Sequence, residues 1–594
     1  CDELVERAAA TWSPARTAEL EARFLALDLP YAADTWRRVR EGVSTHVERW
    51  AALQRETCEA ARVDAEAAPV LAQRQECLDE RLREVGVLLE VLDEADPHTV
   101  ESAAELVASL SELEACLDDE HLRERLVPAD PWRRARVQQL RSELDRARML
   151  YEAGRLDAAR MELLAQGAAE LDYLPFTAEL TLLQAETTAE ADFDRALELA
   201  NLAFEQALAS RHDEIAFEAS AHLGHLYGSN RLERGEAERW IRRAEAMLHR
   251  LGDDEHETLT VLNLRAVTLA QTGALSEASE DYQELVERHR RIGERRNLAA
   301  VLNNAGNVEF TLGRVDEGLA MLEESLRLSE QEWGPDHPKS LRTAANLGIM
   351  MVARGELDEG RRRLEAIVPP QEAALGSDSP ELANSLESLA VAYARLDRLE
   401  LAGTMRRRVL EIREHAYGAD SVPALSARGN LAYQLELEGK PEEALRLAKE
   451  VVATNEARDE PALRVSLHAL VTATDVAVEL GRADEAWSLA QRLDQTCAAA
   501  DPCSPQIHRK SQLLSGMALL LGGKPEAAVP LLEEVVRDPA DEGLLPMAQF
   551  QLARALASDP ARRAEAIALA RRAAGPANEG LRKKITAWLA EQGR

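Results

Sequence analysis

The sequence predicts an all-α chain in two parts: a four-helix cap over residues 1–128 and a helical solenoid of about eleven helix-turn-helix repeats over residues 129–594. Three observations predict it. A turn mark recurs at a fixed period: Gly313, Gly355, Asp397, Gly439, Gly481 and Gly523 stand 42 residues apart, with Gly273 a further 40 upstream. A small residue follows each mark after five positions, at Ala278, Gly318, Gly360, Ala402, Ala444, Ala486 and Ala528, where it lets two helices approach closely. No run of alternating β-branched residues bounded by hairpin turns is present, so no sheet is expected.

A second landmark separates the units. Gly252, Gly293, Gly334, Gly376 and Gly418 recur at 41, 41, 42 and 42 residues, and Trp333-Gly-Pro-Asp-His-Pro338 shows the chemistry most fully. The glycine ends one helix in the left-handed conformation, Asp336 is placed to cap the next, and Pro338 fits its first turn. Weaker units extend outward, with Ala159, Ala196 and Ala237 in the small position and a last unit after Asp559. A chain of 594 residues is too long for one compact core. A solenoid has no such limit, because each repeat touches only its neighbours.

At these residues the chain resembles the tetratricopeptide repeat (TPR) family, in the 42-residue form seen in kinesin light chains. The family places Leu-Gly or Leu-Ala in the first helix of a unit, here Leu347-Gly348, Leu389-Ala390 and Leu431-Ala432. The resemblance implies a right-handed superhelix whose inner face, built mostly from first helices, holds a peptide or a partner protein. On those helices stand Asn263, Asn303, Asn304, Asn307, Asn346 and Asn430, with Tyr393 and Arg395 nearby. Asparagine offers both donor and acceptor, so it can clamp an extended backbone whatever its sequence. It is also a poor helix-interior residue, so its repetition calls for a reason. Two readings stay open: a peptide clamp, or links between neighbouring helices. Where chaperone-binding relatives place lysines for a C-terminal carboxylate, this chain has Gln271, Thr311, Ala353, Arg395 and Leu437, which argues against that clamp.

The first 128 residues keep helical periodicity without the repeat marks, and predict helices over 3–27, 32–59, 68–94 and 98–117. Four of the six cysteines lie here. Antiparallel helices bring together residues equidistant from their turn. Cys77 and Cys116 flank Asp96-Pro97 symmetrically, and Cys1 and Cys58 flank Leu29-Pro30. These are expected as disulfides, with Cys497–Cys503 as a local third across a proline loop. Alternatives are buried free thiols, a lipid-bearing Cys1, or a metal held by Cys497, Cys503 and His508. The last lacks a fourth ligand and the spacing of a zinc site, so no metal is expected. Paired cysteines imply an oxidising compartment. The chain opens on Cys1 rather than Met, which implies trimming.

The cap also resembles, through Trp36, Trp50, TCEAAR and the ECLDERLREVGVLLEVLDEADPHTVESAAELVASLSELEACLDD run, the region after the membrane helix of bacterial serine/threonine protein kinases of the myxobacterial sort. That resemblance implies a cytoplasmic kinase domain, one membrane span upstream of Cys1, and this chain outside, in the periplasm, as a sensor or docking region. The rivals are a cytoplasmic TPR adaptor or regulatory tail, and a secreted or lipid-anchored binding protein.

Chemistry is sparse. No glycine-rich phosphate loop, HRD or DFG motif occurs, nor HExxH or GxSxG, so the chain is read as non-catalytic and without a cofactor. His222 and His225 share a helix face but have no third ligand placed. A net charge of −35 disfavours nucleic acid and anionic membrane. No stretch is apolar enough to span a bilayer. Partners are therefore expected to be proteins or peptides.

Overall fold

The structure is a computed structural model that describes residues 2–63, 68–118, 128–155, 158–189, 191–458, 461–499, 503–538 and 542–592. Among these residues every regular element is helical.

The cap differs from expectation at both ends. Its first helix is two, Asp2–Thr11 and Pro14–Ala26, because the Ser13 hydroxyl accepts the Arg16 N–H at 3.2 Å and Pro14 takes the first turn. Ala32–Val63 and Ala68–Asp93 follow. Pro97–Ala108 opens on Asp96, whose carboxylate accepts the Thr99 N–H at 2.8 Å, and stops well short of residue 117. Beyond it the Glu84 carboxylate takes the Ser111 N–H at 3.3 Å, and Glu114–Leu117 is a single 3-10 turn. Cys116 on that turn still meets Cys77, with a Cα–Cα distance of 5.6 Å. Cys497 and Cys503 are bonded likewise at 5.4 Å. Cys58 is disulfide-bonded, while Cys1 lies outside the described residues and with it the proposed Cys1–Cys58 pair. His508 Nδ1 lies 4.0 Å from Cys497 Sγ, but sulfurs bonded to each other offer no thiolate to a metal.

From Pro131 the described residues hold eleven helix pairs, Pro131–Glu152 with Ala158–Leu171 through Leu545–Leu556 with Arg563–Ala574, and a last helix, Glu579–Gln592. The turn marks fold as the period demands. The seven have φ between 60° and 100°, Asp397 among them at 60°. After each mark the next N–H reaches back five residues to close the helix, as Arg314 does to Glu309 O at 2.9 Å and Arg398 to Tyr393 O at 2.8 Å. At the unit boundary Gly334 has φ 96°, but the next helix is capped by His337, not Asp336: its Nδ1 accepts the Lys339 N–H at 3.2 Å.

The small residues sit where helices cross. Ala278, Ala402, Ala444, Ala486 and Ala528 are fully buried, and Gly318 meets Gly306 so closely that an added Cβ would lie 2.7 Å from the Gly306 carbonyl oxygen. Ala159 is exposed, because the first pair makes its close approach at Gly167, against Leu140.

The chain forms two compact units, Cys1–Met350 with Pro369–Ala374, and Met351–Val368 with Leu375–Arg594. In the first, the cap's core around Trp50 and Leu88 runs on into Met149, Leu150 and Ala153 of the first repeat. The cap also touches Gln331 and His337 near the end of that unit, through Arg38 and the Glu101 carbonyl. Unit one is thereby closed on itself. No helix among the described residues is long and apolar enough to cross a membrane.

The crossing geometry separates two glycines of this unit. Gly318→Ala should destabilise by about 1–3 kcal/mol, since backbone, not a flexible side chain, meets the new Cβ. Gly86→Ala, with nothing within 4 Å of the added carbon, should stabilise by up to about 1 kcal/mol. Thermal unfolding of both variants checks the pair of signs.

Candidate functional site

In unit one the first helices of successive repeats present one polar face, built from Pro131–Glu152, Leu174–Thr188, Asp213–His225, Glu255–Gln271 and Arg295–Thr311. Its near end is charged. Arg141 forks onto Glu179 at 2.6 and 3.1 Å, and His212 Nε2 reaches the same carboxylate at 3.1 Å. Burial alone would push the Glu179 carboxyl up, but the Arg141 guanidinium holds it below its ordinary value. Beside this satisfied pair, Arg148 stands among Asp145, Glu152, Glu186 and Glu218, four carboxylates around one guanidinium. Desolvation pushes Asp145 and Glu186 up to about 7, with like-charged neighbours Glu84 and Glu218 adding to it, and also raises Glu218 and Glu152.

The Glu218 and Arg148 side chains, 3.8 Å apart, keep 41% and 35% of their surface; burial raises the Glu218 carboxyl, while at Arg148 the surrounding carboxylates outweigh desolvation and raise the guanidinium.

Farther along the face come the asparagines, and the structure gives most of them partners. Asn346 Nδ2 donates to Asn303 Oδ1 at 2.9 Å across consecutive first helices, Asn303 donates to Asn304 at 3.3 Å, and Asn307 to the Asn303 carbonyl at 2.7 Å. Asn304 bonds the buried Tyr282 hydroxyl. All four remain half-buried. Asn263 differs: its Oδ1 is shielded from water and has no partner, and the same is true of Nε2 of His222, at the equivalent place one repeat earlier. Burial pushes His222 down to about 4, with His225 contributing, so its ring is neutral at pH 7.

Unit two repeats the linking pattern. Asn430 Nδ2 donates to Glu387 at 3.1 Å, Arg395 Nη1 to the Val352 carbonyl at 3.2 Å, and the Tyr393 hydroxyl to Glu365 at 2.5 Å. Glu387 also receives the buried Arg406 at 3.3 Å. Arg395 is thus engaged by backbone and is not a free cation awaiting a carboxylate. The charged cluster and the unpartnered state of His222 were beyond sequence reasoning. Acidic residues number 106, and no spacing marks those that fold together.

Models of the tetratricopeptide repeat match residues 258–292, 297–369 and 381–457. These residues are tetratricopeptide repeats, a protein-binding scaffold that is in general non-catalytic. No curated protein matches the chain. Among solved structures, a Podosopora anserina protein described as a kinesin light chain with nearly identical TPR-like repeats is 22% identical, covering 33% of this chain and 94% of its own, with TM-score 0.30. A Rap protein complexed with competence and sporulation factor is 13% identical, covering 64% and 99%, with TM-score 0.42. The quorum sensor NprR of B. thuringiensis in its apo form is 13% identical, covering 62% and 98%, with TM-score 0.44.

The raised carboxyls carry a pH signature. A carboxyl whose folded pKa lies above its unfolded value contributes stability that is present below the unfolded value, about 4, and lost as pH rises through about 7. Asp145→Asn and Glu186→Gln should therefore raise the thermal midpoint at pH 8 and leave it nearly unchanged at pH 4.5. Melting curves at the two pH values check this.

Proposed function

We propose that this chain is a non-catalytic scaffold that binds an extended peptide or a partner protein's segment along the first-helix face of unit one. The observation that carries it is the pair of unpartnered polar atoms, His222 Nε2 and Asn263 Oδ1, at equivalent places in consecutive repeats. A shielded polar atom without a partner costs free energy, which a ligand returns once the side chain turns out to meet it. Asn263 Oδ1 can only accept and fits a peptide N–H, while a neutral His222 with its proton on Nε2 fits a peptide carbonyl. The half-exposed Asn303, Asn304, Asn307 and Asn346 extend the same face. The carboxylates around Arg148 favour lysine or arginine in the bound segment.

The setting we propose is extracytoplasmic, as the sensor or docking region of a membrane-anchored serine/threonine kinase. The disulfides at Cys77–Cys116 and Cys497–Cys503 support an oxidising compartment, and the resemblance of the cap supports the kinase. Reading the coding sequence upstream of Cys1 decides it: about twenty apolar residues preceded by HRD and DFG motifs are expected, and a cleavable signal peptide alone would replace the kinase with a secreted binding protein.

Selection of phage-displayed random peptides on the immobilised chain tests the face. Basic peptides should be enriched, and Asn263→Ala or His222→Ala should weaken them about tenfold, the worth of one or two hydrogen bonds. Binders indifferent to both substitutions would remove the assignment.

A further inference from the structure

The Trp333-Gly-Pro-Asp-His-Pro338 turn, in sequence one more boundary between repeats, is the place where the cap closes unit one. His337 is 1% exposed and uses both ring nitrogens. Nε2 lies 3.2 Å from the Glu101 carbonyl in the cap helix Pro97–Ala108, and Nδ1 accepts the Lys339 N–H at the start of the repeat helix. Only one neutral tautomer satisfies both contacts, with the proton on Nε2. Tyr31 of the cap stands edge-on to the ring at a centroid distance of 5.3 Å, and Trp333 stacks on it at 6.2 Å.

The contacts around the ring are short-range and polar. Arg38 donates to the Gln331 carbonyl at 2.9 Å, Arg296 to the Ala104 carbonyl at 3.3 Å, and Lys339 pairs with Glu105. The charged and titratable groups facing His337 are Tyr31, Asp34, Arg38, Glu101 and Glu105 from the cap, and Arg296, Glu332, Lys339 and Arg342 from the repeats. Two of these cations, Arg38 and Arg342, oppose a positive charge on the ring.

We propose that His337 is the pin of an acid-released clasp, by which the N-terminal cap holds unit one closed at neutral pH and lets go when the imidazole takes a second proton. Protonation at Nδ1 turns an acceptor into a donor aimed at the Lys339 N–H. It also places a charge in a buried site beside Arg38 and Arg342. Both effects vanish once the cap lifts and water reaches the ring. Burial, together with those cations, holds the folded imidazole down to about 4 against an ordinary 6.5. The sign follows: the open form binds the proton more tightly, so closure is at full strength above about 6.5 and weakens by about tenfold per pH unit as pH falls toward 4.

Hydrogen exchange read by mass spectrometry on the whole chain tests it, using protection factors so that the intrinsic pH dependence of exchange divides out. Between pH 6.5 and pH 4.5, amides of 98–108 and 335–345 should lose about 40-fold protection, while those of the unit-two helix Val422–Leu437 hold theirs. His337→Gln keeps a donor and an acceptor but cannot titrate, and should flatten the loss to less than about threefold. His337→Ala should leave the two segments weakly protected at both pH values; should it fail to fold, the Gln comparison still decides. Equal pH profiles in wild type and His337→Gln, or a loss shared by Val422–Leu437, would overturn the clasp.

Discussion

Everything in this chain depends on how closely two helices of one repeat can approach. A left-handed residue ends the first helix, and a small residue five positions on lets the second lie against it backbone to backbone, as Gly306 and Gly318 do. That economy explains the composition. Aromatic residues make up only 4% of the chain because alanine at the crossings leaves little space to fill, and several of the large rings gather in the cap around Phe24, Trp36 and Trp50. A repeat built this way buries its own faces but leaves its ends open, so an array needs a cover of different composition.

What could be read from the sequence was whatever the backbone dictates. A positive φ admits few residues, so the 42-residue march of glycines marks turns, and Asp397 could be placed among them because aspartate tolerates that conformation. Ser13-Pro14 was an equally legible break, a capping serine before a proline at the first turn, that periodicity alone ran through. The end of Pro97–Ala108 was less legible, because it depends on the Glu84 side chain from another helix taking a loop N–H.

The asparagines show where such reading stops. Their positions were plain, but the partner of Asn346 lies 43 residues away on the preceding first helix, and that of Asn430 is a glutamate, Glu387, at the same remove. Whether a helix-interior amide links repeats or is left without a partner is set by which neighbour the superhelix brings to it. Asn263 and Asn303 look alike in sequence and differ only in that respect. Carboxylates pose the same problem at greater scale: Glu179 is neutralised by Arg141, whereas Glu186 has to share Arg148.

Closure and the polar face bear on each other through solvent. Four carboxylates share one guanidinium, and burial drives Asp145 and Glu186 toward neutrality, the cap's Glu84 adding to it at Asp145. The cap thus closes unit one against an opposing electrostatic term. It does so with groups that dislike burial themselves: a histidine kept neutral at 337, and a lysine at 339 pulled down to about 8 chiefly by desolvation. Positive charge brought to these carboxylates would lower that cost. Acid acts on the same balance in two opposed ways, neutralising the carboxylates while charging the pin, and the pin is the group that joins cap to repeat.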